Sequence, residues 1–322
     1  MFGQSWKMLQ FATICSLTLG SVSVVEAQSG GSWVFKAPLP AALDEVAVVY
    51  AAGKVHVLGG SVLGYTGPYH EEYDPATDKW RPRAPVPRSL DHIGATVLNG
   101  KIYAFGGFVG GAVHKDGQDT AFEYDPALDT WRILASMKGG RGSVAAVPLD
   151  GKIHVLGGRD ANGTTLGRHE VYEPATNTWT ELAPFPKPRD HMAAAVIEGK
   201  IHIAGGRFGA SSDRTDLHDV YDPKTNTWTP GPPLPTPRSG LAYTVYKDLF
   251  LVLGGEIPGQ GTNSENEAYD VKTNSWVKLS PMPAGRHATG AATDGQHVYL
   301  AGGSLTPGGA GATDQLIVFT LP

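Results

Sequence analysis

The chain has almost no cysteine. Its 322 residues hold one, Cys15, inside an apolar N-terminal stretch. Lys7 precedes that stretch, Met8 to Val25, which ends in Val25-Glu26-Ala27 with small residues where a signal peptidase reads. We read residues 1–27 as a secretory signal cleaved after Ala27. The stretch is too weakly apolar to favour a retained membrane span of about 20 residues. Ala12-Thr13-Ile14 before the cysteine is a poor lipoprotein site. Residues 28–322 would then form a cysteine-free mature domain, secreted or periplasmic. Disulfides, thiolate metal sites and cysteine nucleophiles are thereby excluded. A large charge excess is also missing. With 26 Lys and Arg against 31 Asp and Glu, the net charge is −5, which gives no reason to expect nucleic acid as a partner. No His-x-x-x-His or similar close ligand spacing occurs, so neither metal nor cofactor is expected.

What is abundant is punctuation: 42 glycines and 24 prolines, recurring at fixed places between short apolar runs. Trp33, Trp80, Trp131, Trp179, Trp228 and Trp276 are separated by 47, 51, 48, 49 and 48 residues. Six glycine pairs keep the same period, from Gly59-Gly60 to Gly302-Gly303. A period near fifty with these marks predicts propeller blades. Each unit reads as four strands. A small apolar strand meets a tight turn such as Asn99-Gly100 or Glu198-Gly199, suited to two-residue hairpins. The second strand ends in the glycine pair, the third in Tyr-Asp-Pro or a variant, and the fourth begins at the tryptophan. The expected fold is all-β, a six-bladed ring. The orphan strand Ser32 to Lys36 is expected to complete the last blade beside Gln315 to Leu321, removing open edges.

The glycine pair, the Tyr-Asp-Pro turn and the tryptophan resemble Kelch repeats over residues 32–321, of an exported bacterial type. That resemblance implies a propeller of the galactose oxidase/Kelch-like superfamily and leaves function open, since such propellers serve as adaptors, sugar-binding modules and enzymes. Copper oxidation like that of galactose oxidase needs a cysteine-linked tyrosine and is rejected. Kelch-type iron-dependent specifier proteins fall for the same reason. Resemblance to exported Kelch sialic acid epimerases rests on Gly255-Glu256-Ile257-Pro258-Gly259; it implies Glu256 as an acid–base group, with Arg238 or Arg286 replacing an arginine missing from the segment that follows.

Strand parity puts the crossover into strand one and the loop after the glycine pair on one face. That face carries the longer, irregular loops and is expected to bind. Sixteen residues before each glycine pair stand Leu43, Leu90, Arg141, Arg189, Arg238 and Arg286. Two places later are Glu45, His92, Ser143, His191, Gly240 and Ala288, and directly after the pair come Ser61, Phe108, Arg159, Arg207, Glu256 and Ser304. Four successive arginines suggest a funnel that captures a carboxylate or other anion. The alternative is a repeat feature in which they pair with carboxylates such as Asp190 or Glu256. The candidate ligand-binding residues are thus Arg141, Arg189, Arg238, Arg286, His92, His191, Arg159, Arg207 and Glu256. His56, His154, His202, His70, His169 and His218 occupy repeat positions and read as scaffold. The expected function is a binding module for a protein, peptide or glycan, including anionic ones. The alternative is a sugar mutarotase or epimerase using Glu256.

Overall fold

The computed structural model describes residues 1, 30–110 and 116–322. The signal segment and Cys15 lie outside these residues, as does part of the loop that begins at Phe108. The described chain folds into six four-stranded antiparallel sheets. Blade one runs Ala47–Ala51, Lys54–Leu58, His70–Asp74 and Lys79–Pro82 from channel to rim. Blades two to five repeat the order from Gly94–Leu98, Ala145–Leu149, Ala193–Ile197 and Ala242–Tyr246. Blade six takes three strands from the end of the chain, Ala291–Thr293, Val298–Ala301 and Leu316–Thr320, and its outer strand, Ser32–Lys36, from the beginning. Among the described residues no helix is long and apolar enough to cross a membrane.

The repeat residues join one blade to the next. Tyr73, Tyr124, Tyr172, Tyr221 and Tyr269 donate their hydroxyls to Asp78, Asp129, Asn177, Asn226 and Asn274, each five residues on. Those five side chains sit at φ of 52–55°, a left-handed conformation that Asp and Asn tolerate. Four of them also accept a backbone N–H from the crossover segment: Ala37, Ala84, Ala135 and Ala183. The tryptophans donate to crossover carbonyls, as Trp80 does to Ala37 and Trp131 to Ala84. Apolar clusters fill every inter-blade space; one holds Val57, Tyr73 and Val318 from blades one and six, another Ile102, Ala104 and Leu58 from blades one and two. The glycine pair is required by a close approach. Gly106 has φ 64°, and a Cβ there would lie 2.2 Å from the Arg141 carbonyl oxygen.

Three blades carry a buried histidine pair. His70 Nδ1 lies 2.9 Å from the Ala84 carbonyl, so it is the donor, and its Nε2 accepts from His56 Nδ1 at 3.0 Å. His154 with His169, and His202 with His218, repeat the arrangement at 2.8 and 2.9 Å. Burial holds His56, His154 and His202 at about 4. Their unfolded value is near 6.5, so between these limits the unfolded chain binds protons that the folded chain refuses. Stability is expected to fall as pH drops from 6.5 towards 4, by at least about 1 kcal/mol per pair. Denaturant titrations at stepped pH test this. An unchanged midpoint across that range would mean that the pairs are not buried neutral.

Candidate functional site

The loop-rich face opens into a cavity of about 530 Å³. Below it a second space of about 480 Å³ runs down the channel between the innermost strands, and the two share Glu45, His92 and His191. The geometry of this mouth comes from one backbone feature. Glu45, His92, Ser143, His191, Gly240 and Ala288 all have left-handed φ, from 53° to 70°. Their amides chain around the pore: His92 donates to Glu45, Ser143 to His92, His191 to Ser143 and Gly240 to His191, at 3.0–3.4 Å. A left-handed residue breaks the in–out alternation of an extended strand. The residue just before each of them also bridges the one after the glycine pair: Asp44 with Ser61, Asp91 with Phe108, Asp190 with Arg207, and Ser239 with Glu256.

This corrects the expectation of an arginine-lined funnel. Arg141, Arg189, Arg238 and Arg286 are all 0–1% exposed and line neither cavity. Arg141 meets Glu170 at 2.6 Å, Arg189 meets Asp219 at 2.6 Å and Arg238 meets Glu267 at 2.8 Å. Arg286 reaches the Gln315 side chain and the Gly302 carbonyl. Arg141, Arg238 and Arg286 tie the ends of the second and third strands of their own blades, and Arg189 reaches the third. The pairing partners are therefore not Asp190 or Glu256, and neither Arg238 nor Arg286 stands in for the arginine expected beside Glu256.

Arg207 stands there instead. Its Nη1 is 2.5 Å from Glu256 Oε1, its Nε 3.1 Å from Asp190 Oδ1, and its Nη2 2.9 Å from His191 Nε2. Asp190, fully buried, also accepts from Arg159 Nη2 at 3.2 Å, Thr165 and His191 Nδ1. Burial opposes its ionisation, but the His191 hydrogen bond and the charges around it hold it well below the usual carboxylate range. Arg159 also donates to the Gly209 carbonyl, tying blade three to the blade-four loop. Across the mouth His92 lies between Asp91 at 2.7 Å and Glu45 at 2.9 Å. Burial would lower it, but Glu45 and Asp91 raise it to about 10. The sign is opposite to that of the paired histidines: His92 stabilises the fold below pH 6.5, and this is lost as pH rises through 10.

The two rings are 5.0 Å apart and differ in charge. Burial and Arg207 hold His191 well below its ordinary value. Ser143 Oγ, His191 and Asp190 have the order of a nucleophilic triad, with Ser143 3.2 Å from His191 Nε2. The same Nε2 accepts from Arg207, however, and an imidazolium beside that guanidinium would be costly. The arrangement fixes a neutral imidazole and does not activate a serine. Among the described residues no group of three or more His, Cys, Asp or Glu is disposed to hold a metal.

Of the predicted residues, the structure brings His92, His191, Arg159, Arg207 and Glu256 to one mouth. Sequence reasoning missed Asp44, Asp91 and His287 as mouth residues. The signal was present: Asp44, Asp91 and Asp190 share one register position. Phe108 is fully buried, whereas Tyr65 and Phe208 are exposed on the loops.

The KLHDC2/KLHL20/DRC7 Kelch-repeats domain family matches residues 108–303. The chain belongs to this Kelch family. Similar curated proteins are mouse Kelch-like protein 35, 31% identical over 135 residues, and its human counterpart, 47% identical over 133. Each match covers 41% of this chain, and only 22% and 21% of those Kelch-like proteins. A solved structure, "Structure of YjhT", superposes with TM-score 0.73 and 18% identity, over 88% of this chain and 98% of that one. That likeness speaks to the propeller fold alone. Kelch propellers are in general interaction modules.

Proposed function

We propose that this Kelch propeller is an exported binding module, secreted or periplasmic, that holds a polar group of a protein, peptide or glycan ligand in the mouth of its channel. The carrying observation is the interlocked cluster on the cavity wall: Asp190, Arg159, Arg207, His191 and Glu256, four of them less than a tenth exposed by side chain. Burying so many ionised groups is a poor way to stabilise a ring that already has six apolar interfaces. Strained backbone and perturbed charges gather where a protein recognises something. Both mouth arginines are committed to carboxylates, which weighs against simple anion capture.

The test is a thermal-shift screen with neutral glycans, sialic acids, acidic peptides and basic peptides, followed by calorimetry on the hits. Binding should weaken at least about tenfold in Glu256→Gln and persist in Arg286→Met, which alters a buried scaffold group. Hits indifferent to Glu256→Gln and to Arg159→Ala would overturn the reading.

The second reading is a sugar mutarotase. It is favoured by one contact, the Arg207–Glu256 pair, which fixes a carboxylate at the cavity wall, in place to move a proton at an anomeric centre. NMR exchange between anomers of a bound sugar, abolished in Glu256→Gln, would support it. Binding without accelerated exchange would exclude it.

A further inference from the structure

Blade one departs from blades two and four at the centre of the mouth. In blade four, Asp190 is neutralised by Arg207, the residue after the glycine pair, and receives the Nδ1 hydrogen bond of His191, its own neighbour in sequence. In blade two, Asp91 receives His92 Nδ1 and the Thr66 hydroxyl at 2.8 Å. The corresponding neighbours of Asp44 are Ser61 and Glu45, one uncharged and one of like charge. Asp44 is 1% exposed. It accepts the Ser61 hydroxyl on Oδ1, and among the described residues no Lys, Arg or His makes an ion pair with it. Its Oδ2 borders the cavity where the wall is glycine, 3.9 Å from the point a Cβ on Gly309 would occupy.

A buried carboxylate without a cation is costly. Burial, with Glu45 adding to it, pushes the Asp44 carboxyl up from its ordinary value, and the Ser61 hydrogen bond and the nearby His287 and His92 offset this only in part. The balance around it has the same sign. Asp44, Glu45, Asp91, Asp190 and Glu256 line or border the mouth against Arg159, Arg207 and charged His92. His287, the other ring near Asp44, has its Nε2 on the Thr306 carbonyl. The repeat has thus built the same carboxylate three times, and at blade one, on a cavity wall, no cation among the described residues stands within ion-pair distance of it.

We infer that Asp44 is the anchor of an ammonium-recognition subsite on the blade-one side of the mouth, beside Glu45, whose own charge is met by His92; there the ligand supplies the charge that Arg207 supplies in blade four. This rests on the reading that the ligand sits in the mouth. An ammonium group donates up to three hydrogen bonds and is compact enough to pass beside Gly64 and Gly309. It could come from an amino sugar or from a lysine side chain.

Calorimetric titration of the full mature chain with glucosamine and with Nα-acetyl-lysine methylamide separates the two sources. Glucose, N-acetylglucosamine and the Nε-acetylated lysine derivative are the uncharged counterparts. At least one ammonium probe is expected to bind about tenfold or more tightly than its counterpart. Asp44→Asn should abolish that preference and raise the melting temperature, because it removes an unpaired buried charge. Ser61→Arg should abolish it too, by recreating the blade-four pairing. The inference is overturned if no ammonium probe binds, if the uncharged counterparts bind as well, or if the preference survives both substitutions. A neutral glycan bound at the mouth without such a preference would sink this inference and leave the binding-module reading standing.

Discussion

A chain lacking residues 28–40 is expected to lose its cooperative thermal transition, or to melt far below the intact protein. The ring closes through that segment. Ser32–Lys36 makes a five-residue antiparallel ladder with Leu316–Thr320. Trp33 packs on Phe319 with ring centroids 4.9 Å apart and donates its indole N–H to Ser280. Leu39 is 3% exposed in the cluster between blades six and one. Ala37 donates to Asp78 and accepts from Trp80, the same tie that joins other neighbouring blades. Burial of Leu39 is worth about 1.5–3 kcal/mol, and the half-buried Trp33 adds to it. Losing both, with the ladder and an inter-blade tie, takes a large part of the roughly 5–15 kcal/mol that keeps a domain folded. Circular dichroism melts of the truncated and intact chains decide this, and an unchanged midpoint would contradict ring closure by this strand.

Arg238→Met should destabilise the protein by about 3–5 kcal/mol, because it leaves Glu267 as a fully buried carboxylate whose only remaining cation among the described residues is the exposed Lys278 at 3.9 Å. Arg238 also caps the carbonyls of Gly254, Val252 and Glu265, which would lose their donors. Glu267→Leu in the same chain should restore much of the loss, since replacing both members of a buried pair by apolar groups is often neutral. Arg286→Met should cost less, because its side-chain partner is the uncharged Gln315. Urea titrations of the three variants beside the unaltered chain give the order. A loss for Arg286→Met equal to that for Arg238→Met would show that carboxylate pairing is not what fixes these arginines.

The same arginines show where sequence reading stops. Period, glycine pairs and tryptophans specify blades because each is a local requirement repeated six times. Gly106 is needed by a contact that recurs at every blade junction, and even the closure of the ring follows from counting strands. The mouth is different. From the sequence, residues two apart along a strand should share a side, which would group Arg189 with His191 and leave Asp190 facing away. The left-handed φ at His191, 53°, breaks that rule. Arg189 is turned into the blade, while Asp190 and His191 meet Arg207. Nothing in composition announces a positive φ at Glu45 or Ala288, which are not residues chosen for it. The shared register of Asp44, Asp91 and Asp190 was visible, but only the backbone turn gives it meaning.

The central claim is that recognition occurs at the channel mouth, on the ring of left-handed residues and the loops above it. Amide hydrogen exchange with and without a ligand found by thermal shift tests it most directly. Protection on binding should appear at residues 44–45, 91–92, 190–191, 207–211, 256–259 and 307–309, and be absent from the hairpins at Asn99-Gly100, Asp150-Gly151 and Glu198-Gly199. Protection confined to those hairpins, or to the outer strands that carry the tryptophans, would place the ligand elsewhere and contradict the account.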